Sequence, residues 1–206
     1  MAPLFESVPP QGYGGTERVV SYLTEELVRR GHEVTLFASG DSRTAARLVP
    51  VVDRAVRLEP STRELLGADT IRQLDVVRAH AGEFDLIHSH IDYLAFPFGH
   101  VLPTPMVHTM HGRLDLAPLR PLYRHFRDVP LVSISDAQRR PLADLGMHWA
   151  GTVYHGHPLG RYPFAAEDRG YLAFLGRCSP EKQVDLAIEI ARRVGLPLRI
   201  AAKVDV

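Results

Sequence analysis

Residues 171–190, YLAFLGRCSPEKQVDLAIEI, pack a strand, a tight turn and a helix start into one short stretch. Tyr171 to Leu175 is an apolar run closed by Gly176, the pattern of a buried strand with a sharp exit. Helix signals follow at once. Ser179 is placed as N-cap, Pro180 at the first helical position and Glu181 in the first turn, while Val184, Ala187, Ile188 and Ala191 recur on one face. Lys182, Asp185, Glu189 and Arg192 fall toward solvent. The unpaired N–H groups and positive dipole end of such a helix attract an anion, and Arg177 and Lys182 flank that point. The turn therefore reads either as a phosphate cradle or as a solvated basic turn.

Outward from this unit, strands and helices alternate along the chain. Residues 1–5 are a stub, short for a central first strand. Residues 11–17, QGYGGTE, form a glycine-rich loop running into a helix whose Val19, Val20, Leu23, Leu27 and Val28 make an apolar stripe ended by Gly31. Gly12, Gly14 and Gly15 let backbone approach a ligand, and Thr16 can cap the helix, so this is a second anion cradle or a turn with glycines for backbone reasons. It is not the G-x-G-x-x-G dinucleotide fingerprint, which disfavours a Rossmann oxidoreductase.

Residues 33–38 read as a strand, 49–58 as weaker strand material, and 61–80 as a helix burying Leu65, Leu66, Ile71, Leu74, Val76 and Val77, with a candidate break at Gly67. Residues 84–90, 106–112 and 131–135 read as buried strands, with Asp136 capping the next helix, and 197–202 as one more strand. The alternation predicts an α/β fold with a doubly wound, Rossmann-like parallel sheet. Such sheets bind ligands at the carboxyl ends of their strands, where His90, His111 and Ser135 fall. His88 with His90, and His155 with His157, form H-x-H pairs at a metal-compatible spacing, but no carboxylate or cysteine cluster accompanies them, so no metal site is expected.

The 206 residues are 45% hydrophobic, ample for a packed core. Lys+Arg and Asp+Glu both number 24, so no global field favours nucleic acid or an acidic membrane surface. The single cysteine, Cys178, excludes an intramolecular disulfide; with no leader and no long apolar span in view, a cytoplasmic protein without a transmembrane segment is the expectation.

Several motifs, in order along essentially the whole chain, resemble glycosyltransferase family 4, retaining enzymes of the GT-B fold. They are P-P-x-x-Y-G-G-T-E-R-V-V from Pro9, D-x-I-H-x-H ending at His90, H-T-x-H-G around His111, G-T-V-Y-H-G from Gly151, and G-R-x-x-x-E-K from Gly176 to Lys182. The resemblance implies that Arg177 and Lys182 grip the diphosphate of a sugar nucleotide, that Gly14 and Gly15 face the donor phosphates, and that His111 contacts the transferred sugar or its leaving diphosphate. It makes His111, Arg177 and Lys182 the catalytic set and His90 and Ser135 cleft-lining. The family commonly ends the fourth of these motifs in Asn-Gly; here His155 replaces the Asn. The implied partners are a nucleotide-sugar donor and a hydroxyl acceptor, with no cofactor.

The implied organisation is an acceptor domain over 1–157, a connector over 158–169, and the start of a donor domain over 170–206. The family's paired glutamates beyond that point have no counterpart in this sequence, so the chain alone is expected to be inactive. The apolar faces of Phe174, Leu175, Ile188 and Ile200 are expected to be partly exposed, to lean on the first domain, or to meet another copy of the chain. A noncatalytic nucleotide-binding or interaction module of the same fold is the alternative reading.

Overall fold

The computed structural model describes residues 1–58 and 66–203. The chain divides into two compact units, Met1–His157 and Pro158–Val206. In the first, helix α1 (Gly15–Arg29) follows the glycine loop and stops where Gly31 takes a left-handed φ of 88°. Its most buried face is Val20 with the polar Glu17, Ser21 and Thr24, whereas Val19, Leu23, Leu27 and Val28 are only half-buried. The apolar stripe read from the sequence is thus not the innermost face. Thr16 does not cap α1: Gly14 is the N-cap residue, and no side chain accepts there.

Strands β1 (Thr35–Ser39) and β2 (Arg47–Val52) pair in parallel. A four-stranded parallel sheet follows in the order β3 (Ile87–Ser89), β4 (Met106–Met110), β5 (Leu131–Ser133) and β6 (Trp149–Thr152). The expected single sheet is therefore two. Met1 and Ala2 stand between them: Ala2 N donates to Phe37 O at 3.0 Å, His90 N to Met1 O at 3.1 Å, and the Met1 amine to His88 O at 2.7 Å. The buried Gln73 amide also donates to Ala2 O and Phe37 O, at 2.8 and 3.3 Å. The amine is pushed down to about 5 by burial.

Gln73 lies on α2 (Leu66–His80), which runs through Gly67 without a break and buries Gln73, Leu74 and Val77, while Ile71 is exposed. Its expected start at Ser61 and the burial of Leu65 lie outside the described residues. Short helices α3 (Phe96–Val101), α4 (Arg120–His125) and α5 (Asp136–Arg139) connect the strands of the second sheet. Phe96, Met110, Tyr123, Leu131 and Leu142 form its core, and Phe37, Val56, Val77 and Ile87 belong to the core beside β1. Each fully buried side chain of this size stabilises by about 1.5–3 kcal/mol.

In the second unit, β7 (Leu172–Arg177) and β8 (Leu198–Lys203) pair in parallel around α6 (Val184–Val194). The helix does not begin at Ser179. Pro180–Lys182 is a single 3₁₀ turn, the Ser179 side chain makes no cap bond, and Gln183 enters the left-handed region at φ 55° before α6 starts. Gly195, at φ 69°, ends it. Leu172, Phe174, Leu198 and Ile200 share one face of the pair by strand alternation and register, and Leu198 and Ile200 line a hollow with Ile188 and Ala191 of α6. Even so Ile200 is 45% exposed, and Leu175 on the opposite face is 88% exposed.

Candidate functional site

The second sheet sets three predicted residues side by side. His90 follows β3 by one residue, His111 follows β4 by one, and Ser135 follows β5 by two. Because the strands are parallel, all three stand at their carboxyl ends. His90 Nδ1 lies 2.9 Å from His111 Nε2, so one of these rings donates to the other. The His90 ring also lies 4.1 Å from that of His88, and His155, beyond β6, stacks on His111 at 5.4 Å. His88 Nε2 meets Thr109 Oγ1 at 2.7 Å.

A file of four imidazoles thus runs from the exposed His155 to the sheet interior. Burial first, then repulsion from His155 and His88, pushes His111 down to about 4; burial and neighbouring histidines lower His90 as well, and burial and His157 lower His155. Neutral imidazoles donate and accept rather than carry charge at pH 7. Among the described residues no group of three or more His, Cys, Asp or Glu is placed to hold a metal ion.

The backbone corner carrying His111 is held by residues the sequence reading missed. Asp92 Oδ1 accepts from His111 N at 2.8 Å and Gly112 N at 3.3 Å. Gln138 donates through Nε2 to Met110 O and Gly112 O, both at 2.9 Å, while its Oε1 accepts from Ile134 N. Ser135, expected to line the cleft, accepts from Gln138 N and is the N-cap of α5; Asp136, expected to cap, is the helix's first residue. Burial pushes the Asp92 carboxyl up, and the two N–H groups partly oppose that.

At the glycine loop, Gly14 sits against its surroundings: a Cβ there would lie 2.7 Å from Pro10 Cβ and 3.1 Å from Glu17 Oε2. A Cβ on Gly15 would meet nothing within 4 Å. Arg18 ties the loop by donating to Pro10 O and Gly12 O. Glu17, 5% exposed in the first turn of α1, accepts from its own N–H and is pushed up chiefly by burial.

In the second unit, Arg177 closes β7 and donates to Glu181 Oε1 at 2.9 Å, while its Nε is buried without a hydrogen-bond partner. Lys182 is exposed, and its stem passes 3.9 Å from the Cβ position of Gly176. The two cations bracket the 3₁₀ turn, and the N-terminal N–H groups of the long helix lie past Gln183 rather than past Ser179. An anion here would share Arg177 with Glu181.

Parallel α/β layers with polar side chains gathered at the carboxyl ends of the strands define a Rossmann-like ligand-binding scaffold, and comparison with known proteins gives its family. The family model for Glycosyltransferase Family 4 matches residues 13–170, and the chain belongs to that family. No curated protein matches it. Among solved structures, the fold is similar to that of AviGT4, described as a glycosyltransferase involved in avilamycin A biosynthesis, with a TM-score of 0.55 and 24% identity. The alignment covers 96% of this chain and 58% of that one, which has the GT-B fold.

Proposed function

We propose that this chain carries part of a retaining glycosyltransferase site that moves a sugar, a hexose by resemblance, from a nucleotide diphosphate donor to an acceptor hydroxyl. The bond between the anomeric carbon and the diphosphate oxygen breaks, and one to the acceptor oxygen forms on the same face. The acceptor's proton leaves with the diphosphate. In this reading Arg177 and Lys182 neutralise charge growing on the departing diphosphate; of the two glycines implied to face the phosphates, Gly15 leaves room for a close approach, whereas Gly14 is packed against Pro10 and Glu17. His111 meets the sugar or the leaving group as a neutral hydrogen-bonding ring. No metal is part of this scheme.

The observation that supports it most is the gathering of His90, His111 and Ser135 at the carboxyl ends of adjacent parallel strands in a family 4 chain. A donor-hydrolysis screen over UDP-, GDP- and ADP-sugars with the full-length gene product tests it, alongside His111→Ala. Turnover of one donor, reduced by His111→Ala with folding intact, is the expected result. Binding without turnover would favour a noncatalytic module; neither binding nor turnover of any donor would defeat the reading.

A further inference from the structure

The corner at His111 has more protein contacts than a loop at a sheet end needs. Four of its backbone groups are spoken for: His111 N and Gly112 N by Asp92, and Met110 O and Gly112 O by Gln138. Asp92 does this from φ 49°, a left-handed conformation uncommon outside glycine though tolerated by Asp, and such strain persists only where surroundings hold it. Gly112 is kept clear for that carboxylate, since a Cβ there would lie 3.1 Å from Asp92 Oδ2. Gln138 is fixed in turn by Ser135, which accepts its backbone N–H, and by Ile134 N, which donates to its Oε1. That pattern also assigns the amide, because only the nitrogen can donate to two carbonyls.

We propose that Asp92 and Gln138 are positioning residues for His111: they lock the corner from both sides, so that the ring is held against His90 in one orientation and one tautomer before any ligand arrives. His111 N and Gly112 N, already given to Asp92, are then not an oxyanion hole. With Nε2 engaged by His90, Nδ1 is the ring nitrogen without a partner among the described residues, and it is the atom the corner offers a ligand. His90 sets whether Nδ1 carries the proton. This deepens the reading of His111 as ligand-facing and rests on it.

The test uses the whole chain with ¹⁵N-labelled histidine, the His111 nitrogens being assigned by their loss in His111→Gln. Asp92→Asn keeps an acceptor oxygen and tolerance of the left-handed region. Asp92→Gly relieves the backbone and deletes the carboxylate. Gln138→Glu keeps an acceptor for Ile134 N but removes both donors. Wild type and Asp92→Asn are expected to show His111 as one tautomer, with well-separated Nδ1 and Nε2 resonances. In Asp92→Gly and Gln138→Glu that separation should fall at least twofold as the ring averages, while the Trp149 fluorescence melt still reports a folded unit. Wild-type separation in both of these folded variants, or an Asp92→Asn ring as averaged as that of Asp92→Gly, overturns the proposal. If either variant fails to fold, the other decides alone. UDP-glucose and GDP-mannose are then added to wild type: failure of either to shift His111 counts against the proposed function and leaves the positioning result standing.

Discussion

Acidification should cost this fold stability through one histidine in particular. His108 on β4 is fully buried, its ring edge-on to Phe96 at 5.1 Å, and neither ring nitrogen has a hydrogen-bond partner. Burial, followed by repulsion from His88 and the N-terminal amine, pushes it down to about 4 from an ordinary 6.5. Between those values the unfolded chain takes up the proton and the folded chain does not, so stability falls as pH drops through 6.5 and levels off below 4. Each pH unit in that window is worth about 1.4 kcal/mol, so moving from pH 7 to pH 5 should cost about 2 kcal/mol through this one group.

The perturbation that isolates it is His108→Leu. That change removes the proton uptake and two unpaired buried nitrogens, which cost roughly 1–3 kcal/mol, against the loss of an aromatic contact worth about 0.5–1.5 kcal/mol. Urea unfolding followed by the single tryptophan, Trp149 on β6, reads the first unit. His88 and His111, both also held near 4, remain in wild type and variant and cancel in the double difference. The variant should therefore lose about 2 kcal/mol less than wild type on going from pH 7 to pH 5. Equal losses would show that His108 protonates in the folded state as readily as in the unfolded, and the argument from burial would be wrong.

Three further outcomes follow from the geometry. Arg177→Ala and Lys182→Ala should each weaken binding of a nucleoside diphosphate about ten- to a hundredfold by calorimetry, the range for one charge-assisted hydrogen bond; wild-type affinity in both would remove them from the site. Gln183→Gly should stabilise the second unit by up to about 1 kcal/mol by relieving a left-handed residue, whereas Gln183→Ala should change little, as both thermal melts can show. Gly14→Ala should destabilise by about 1–3 kcal/mol because its Cβ overlaps Pro10, while Gly15→Ala should melt like wild type and lose donor affinity only; a stable Gly14→Ala protein would show that the loop gives way.

The alternation of elements was legible because it is written locally. Short apolar runs around Leu36, Val107 and Val132 and a turn glycine such as Gly31 mark their elements without distant partners. Helix α6 was misread at its start for the opposite reason. Ser179, Pro180 and Glu181 are good first-turn residues, but Gln183 is held left-handed, and nothing in a glutamine announces that. Motif resemblance singled out His111. Asp92 and Gln138 were invisible because each is 19 or more residues from its corner contacts, and one strained Asp after a histidine strand has no sequence signature.

The two best-defined parts of the first unit share a construction that narrows what a ligand can touch. In the glycine loop, Arg18 takes the Pro10 and Gly12 carbonyls and Glu17 its own N–H, so the basic residue of that motif serves the backbone and Gly15 is left as the unobstructed approach. In the His111 corner, Asp92 and Gln138 take the backbone groups and His90 one ring nitrogen, leaving Nδ1. Buried or crowded polar groups left unpaired would cost about 1–3 kcal/mol each, so a site at the end of a sheet gains rigidity by satisfying all but the few atoms it presents.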